Sequence, residues 1–137
     1  MAKRKKKKNV FITDTHSWLW HMSNDRRLGK KAKAVFQNAD IGKSVILIPT
    51  IVVAEGIYIA KQKGMLPEME KIVQDLGLSS NYLIRPMDHR LLTALVKDKR
   101  KMSIHDKIIT ITAEMEKAEI LSKDSVIVKL AKVKDRW

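Results

Sequence analysis

Short apolar runs rich in β-branched residues recur along this chain, and stretches of helical periodicity separate them. Residues 8–13, Val45 to Ile48, Tyr82-Leu83-Ile84 and Glu119 to Ser122 read as buried strands, too short for helices and bounded by charge or proline. Between them the spacing of apolar residues predicts helices around Ser17 to Met22, Leu28 to Ala39, Pro67 to Gly77, and onward from Asp88 and from Ser103. The run from Thr50 to about Gly64 is rich in Ile and Val and fits either state by periodicity. Its length favours a helix, with Thr50 as N-cap. A short helix from about Ser125 and a last strand near Val133 complete the pattern. Strands that alternate with helices in this way require an α/β domain around a parallel sheet.

Each of four carboxylates lies beside one of these apolar segments. Asp14 ends the first run, Glu55 interrupts Ile51 to Ile59, Asp106 precedes Ile108-Ile109-Thr110-Ile111, and Asp124 follows Ile120-Leu121. A carboxylate in such a place costs desolvation energy unless something positive offsets it. In open parallel sheets, ligands collect outside the carboxyl ends of the strands. Asp14 and Asp124 fall at such ends, and Glu55 and Asp106 fall near the starts of helices, so all four can reach one edge. Carboxylates gathered there repel one another unless a cation lies between them. Hard oxygen donors select Mg²⁺ or Mn²⁺. Each acid also has a plainer reading. Asp14 and Asp124 could simply cap the helices that follow them, and Asp106, three residues after Ser103, fits a capping-box-like pair. Glu55 is different. It lies inside a helix with Ile51 and Ile59 four residues away on either side, so no partner on its own helix satisfies it.

Length and composition narrow the classes. At 137 residues a single domain is expected. There is no cysteine, which excludes disulfides, thiolate zinc sites and cysteine nucleophiles. No apolar stretch approaches the roughly 18–20 residues of a membrane span, so a cytoplasmic protein is expected. The formal charge is +13, and the run Lys3-Arg4-Lys5-Lys6-Lys7-Lys8 carries six of those charges, leaving +7 on the rest. An excess on body and arm alike favours a polyanionic partner, nucleic acid above all. Residues 1–8 read as a disordered basic arm and residues 9–137 as the folded domain.

Four segments together resemble a known family. Phe11-Ile12-Thr13-Asp14-Thr15-His16-Ser17-Trp18-Leu19-Trp20 is similar to the opening motif of the PIN-domain ribonucleases, especially the VapC-type toxins of toxin–antitoxin pairs. Ile48-Pro49-Thr50-Ile51-Val52-Val53-Ala54-Glu55 resembles their second motif. Ile104-His105-Asp106-Lys107-Ile108-Ile109-Thr110-Ile111-Thr112-Ala113 resembles the third, and Ile120-Leu121-Ser122-Lys123-Asp124 the fourth. The resemblance implies a Rossmann-like three-layer sandwich with a mostly parallel central sheet. It also implies a Mg²⁺- or Mn²⁺-dependent endoribonuclease site, an antitoxin partner and a homodimer. Asp14, Glu55 and Asp106 match the family's acidic metal-site residues, and Asp124 matches its more variable fourth acid. Ser122 matches a small hydroxyl residue that supports the site, and Thr15 adjoins the first acid.

Other residues carry weaker signals. Lys107, Lys123 and Arg85 are candidate phosphate contacts. His16 and His105 each adjoin a candidate ligand, but a one-residue offset usually turns a side chain elsewhere, so neither is assigned to the chemistry. Trp18 and Trp20 at helical spacing are expected to pack, or to meet a partner protein, before they stack on bases. Two other classes compete with the nuclease: a non-catalytic RNA-binding module that uses only the basic charge, and another α/β phosphotransfer protein. The second is weakened because a phosphatase of the haloacid-dehalogenase type wants an acid where His16 stands. A receiver domain wants an acidic pair where Lys5 to Lys8 stand. A PIN nuclease of RNA processing or quality control is the alternative within the family.

Overall fold

The computed structural model describes residues 9–137, so the expectation for the basic arm at 1–8 lies outside the described residues. Four strands form one sheet: β1 (Asn9–Thr13), β2 (Ser44–Pro49), β3 (Tyr82–Arg85) and β4 (Glu119–Leu121). Their order is β3-β2-β1-β4 and every pairing is parallel. Seven helices flank the sheet: α1 (Thr15–Met22), α2 (Lys30–Asp40), α3 (Thr50–Gln62), α4 (Leu66–Leu76), α5 (His89–Lys97), α6 (Ile104–Glu116) and α7 (Ser125–Leu130). Because parallel strands are covered on both faces, the inner ones read as nearly unbroken apolar runs. Phe11, Ile12, Ile46 and Ile48 of the inner strands are buried accordingly; of the two edge strands, β4 is buried at Ile120 and Leu121 and β3 is half exposed.

Three local details differ from the sequence expectation. Thr50 does not cap α3. Pro49 occupies that position without a side-chain bond, and Thr50 Oγ1 donates to the Arg85 carbonyl at 3.1 Å, tying α3 to the end of β3. The strand expected near Val133 is reduced to a bridge between Asp135 and Ile120 on the outer edge of β4. Along α6 helical spacing places Ile104, Ile108, Ile111 and Met115 on one apolar face, yet Ile104 is 65% exposed, while every residue from Ile108 to Ala113 is buried. That helix is covered on two sides. Ile109 and Ala113 join the main core, and Ile108 and Ile111 pack with Leu91 of α5.

One glycine decides how closely two helices approach. A Cβ at Gly56 would lie 2.6 Å from Cζ3 of the buried Trp18, so only glycine lets α3 seat against α1 there. The neighbouring residue is Glu55. Close packing of α1 and α3 therefore fixes where that carboxylate emerges.

Candidate active site

Asp14 and Asp124 are the N-caps of the helices that follow two neighbouring strands, β1 and β4. The chain leaves β1 at Thr13, passes through Asp14 in an extended conformation and enters α1, and the Asp14 carboxylate accepts the Ser17 amide at 2.9 Å. Asp124 does the same before α7. Its Oδ1 accepts the Val126 and Ile127 amides at 2.9 and 3.0 Å. The Asp124 amide donates to the buried Ser122 Oγ at 3.0 Å, which shapes the turn out of β4. Thr13 and Leu121 are register partners and the Asp14 amide reaches the Leu121 carbonyl. The two acids therefore sit together at the carboxyl edge of the sheet. The capping bonds described use only Oδ1 of each carboxylate. Capping and ligation are thus compatible here: the cap anchors one oxygen and orients the other.

Asp106 comes to the same edge from α6. Ser103 caps that helix, its hydroxyl oxygen accepting the Asp106 amide at 3.2 Å. Burial pushes the Asp106 carboxyl above the usual carboxylate range. Asp124 pushes it further and Asp14 a little more, against the opposing pull of the Ser103 hydroxyl and of His105. Repulsion between carboxylates of this kind operates only at short range in a partly dry site. Asp106 therefore feels the charge of both strand-end aspartates.

Glu55 has a partner that the sequence reading set aside. Its Oε2 lies 3.0 Å from His105 Nδ1, and His105 Nε2 lies 3.3 Å from Thr15 Oγ1. One imidazole thus links α3, α6 and α1. Ile51 and Ile59 flank Glu55 on its own helix, and its partner, fifty residues away in the chain, leaves no trace in helical spacing. The available signal was that His105 stands in the first turn of α6, directly before a candidate ligand.

The candidate RNA contacts are engaged to different degrees. Arg85 holds Glu116 at 2.7 Å and Asp88 at 3.1 Å and also donates to the Pro86 carbonyl. Lys107 Nζ donates to the Asp98 carbonyl at 3.0 Å. Lys123, next to Asp124, places its ammonium 4.9 Å from the centre of the Trp20 ring. His16 is exposed beside the same ring. Trp18 and Trp20 are both buried and pack, as their spacing suggested.

The donors available at this edge are hard carboxylate oxygens with hydroxyl neighbours, a set whose chemistry fits Mg²⁺ or Mn²⁺. They do not form a closed cage: among the described residues no three acidic or histidine side chains converge tightly enough to hold an ion as they stand.

The family model of the PIN domain matches residues 11–133, from β1 to beyond α7. The chain belongs to the PIN domain family. Solved structures agree on the fold. The VapC20 toxin of Mycobacterium tuberculosis, described as cleaving the sarcin-ricin loop, is 14% identical with a TM-score of 0.68, over 94% of this chain and 100% of that one. A toxin–antitoxin complex from Klebsiella pneumoniae is 18% identical with a TM-score of 0.64, over 88% and 92%. VapBC2 of Rickettsia felis, solved on a DNA fragment from its promoter, is 16% identical with a TM-score of 0.61, over 93% and 99%. No curated protein matches the chain in sequence. In this PIN domain the four motif acids fall at the start of α1, within α3, in the first turn of α6 and before α7. Among the described residues, no helix is long and apolar enough to cross a membrane.

Proposed function

We propose that this PIN domain is a divalent-metal-dependent endoribonuclease and the toxin of a toxin–antitoxin pair, acting in the cytoplasm. The observation that carries the reading is the placement of Asp14 and Asp124 after the adjacent parallel strands β1 and β4 of a PIN domain, with Asp106 in the first turn of α6. Asp14 and Asp106 are the principal ligands of a Mg²⁺ or Mn²⁺ ion, with Glu55 and Asp124 completing its surroundings. A bound ion of this kind would lower the pKa of an attacking water and neutralise charge on the phosphoryl group during in-line hydrolysis. The protein's own contribution is positioning. The caps at Asp14 and Asp124 hold their carboxylates against rotation, Ser122 shapes the turn that presents Asp124, and Thr15 anchors His105. Lys107, Lys123 and Arg85 supply cationic surface for the RNA backbone, within an overall charge of +13 that favours such a partner.

Support for a protein partner comes from a groove of about 490 Å³ whose apolar lining, including Trp20, Ile59 and Met69, is interspersed with Asp25, Arg27, Lys63 and Glu68. An antitoxin segment with an apolar face suits it, and two of the similar structures are themselves toxin–antitoxin assemblies. A homodimer is part of the same proposal.

Total RNA incubated with the protein tests the reading. Cleavage is expected with Mg²⁺ or Mn²⁺ and lost in EDTA. Asp14→Ala and Asp106→Ala should each lower it by more than about 100-fold, beyond the cost of losing an outer-shell partner, while RNA affinity persists. Cleavage that withstands chelation and both substitutions would overturn the mechanism. Binding without any metal-dependent cleavage would leave a non-catalytic RNA-binding module.

A further inference from the structure

We infer that His105 is a positioning residue for Glu55: it holds the one motif acid with no cap of its own in register with the other three. The inference rests on the proposed metal site and deepens it. Asp14, Asp106 and Asp124 are each fixed locally. Asp14 and Asp124 cap helices through their carboxylates, and Asp106 stands in a first turn beside the Ser103 hydroxyl. Glu55 has no such device. It projects from the interior of α3 on a longer side chain that is one-third exposed. Left alone it would sample several rotamers, and fixing them carries an entropic cost that falls on ligand binding.

The imidazole removes that freedom. Nδ1 faces the acceptor carboxylate Glu55 Oε2 at 3.0 Å and so donates to it, and Nε2 lies 3.3 Å from the Thr15 hydroxyl oxygen. Thr15 is itself 98% buried, directly after Asp14. His105 directly precedes Asp106. These two anchors, Thr15 and His105, therefore tie Glu55 to the backbone positions that carry two of the other acids. Both ring nitrogens are satisfied, which fixes the tautomer and the ring plane. An outer-shell partner of a ligating carboxylate usually contributes 10- to 100-fold in metal affinity. Nδ1 is the nitrogen that an asparagine amide can imitate, so the contact has a conservative substitute.

The test is calorimetric titration of the purified protein with Mn²⁺, with melting temperatures recorded alongside. His105→Ala should weaken Mn²⁺ binding about 10-fold or more while the protein stays folded. His105→Asn should recover most of that loss. In a Glu55→Gln background, His105→Ala should cause no further loss, because the histidine acts only through that carboxylate. Unchanged affinity in folded His105→Ala overturns the inference, and so does a full additional loss in the Glu55→Gln background. Absence of Mn²⁺ binding by the unaltered protein would instead sink the metal-site reading beneath it, so the two failures are distinguishable.

Discussion

Asp106, proposed above as a metal ligand, burdens its own fold. Burial, with Asp124 and Asp14 nearby, raises its carboxyl above the usual range. A carboxyl raised in the folded state favours the protonated native protein. Its stabilising contribution is present in full below the ordinary aspartate range and is lost as pH rises through the raised value. At neutral pH without a divalent ion, ionised Asp106 therefore destabilises the protein. Asp106→Asn is expected to melt at a higher temperature than the unaltered protein at pH 7 in EDTA. The advantage should fade as the pH falls below about 4. The same variant should be inactive on RNA, so stability and activity move in opposite directions. Differential scanning fluorimetry across pH checks the first half, and the cleavage assay checks the second. The four acids were legible in the sequence because each breaks or bounds an apolar run. His105 was not, since its role depends on a carboxylate from a different helix.

Among the elements, α6 is held at both ends of the site by a cluster that the sequence does not advertise. Arg100, in the loop between α5 and α6, binds Asp98 at 2.6 Å and Glu114 at 2.7 Å and donates to the Leu130 carbonyl at the end of α7. Glu114 also accepts the Lys132 amide. These bonds fasten the approach to Asp106 against the helix that Asp124 caps. Hydrogen bonds from Arg100 hold the Asp98 carboxyl below its usual range. Burial pushes Glu114 up, but Arg100 and the Lys132 amide outweigh it and leave that carboxyl lowered too. Lowered carboxyls contribute stability above the ordinary range that disappears as pH falls through the depressed values. Arg100→Met should destabilise the protein by about 1–3 kcal/mol at pH 7, since both acids are left half dry and unpaired. Urea unfolding should show the gap closing between pH 7 and pH 3. Helix positions were readable from periodicity, and Asp88, Ser103 and Asp124 cap α5, α6 and α7 as their spacing suggested. The burial of α6 on two sides was not readable, because one helical period cannot encode contact with both a sheet and a second helix.

At the scale of the whole molecule, charge and topology divide the work. The excess of +13 favours polyanionic partners, the proposed RNA among them, without regard to sequence, and residues 3–8 hold six of those charges. Removing residues 2–8 should reduce the dependence of log affinity on log salt by up to about 4 for single-stranded RNA. Metal-dependent cleavage at low salt should survive, because none of the four acids lies in that segment; filter binding across salt concentrations measures the first effect. The alternation of strands and helices was encoded locally, and it forced a parallel sheet: short β-branched runs cannot be helices, and parallel neighbours need helical crossovers. The four motif acids were likewise local signals. The neighbour relations were not. That β1 lies between β2 and β4, so that Asp14 and Asp124 share an edge, follows from hydrogen bonding between segments more than a hundred residues apart. The seating of α3 on α1 at Gly56, and the imidazole that joins Glu55 to Thr15, likewise exist only once the helices pack. Local sequence determines which state each segment adopts, because backbone sterics and burial periodicity act over a few residues. Distances between carboxylates are settled only when the whole core closes around the sheet.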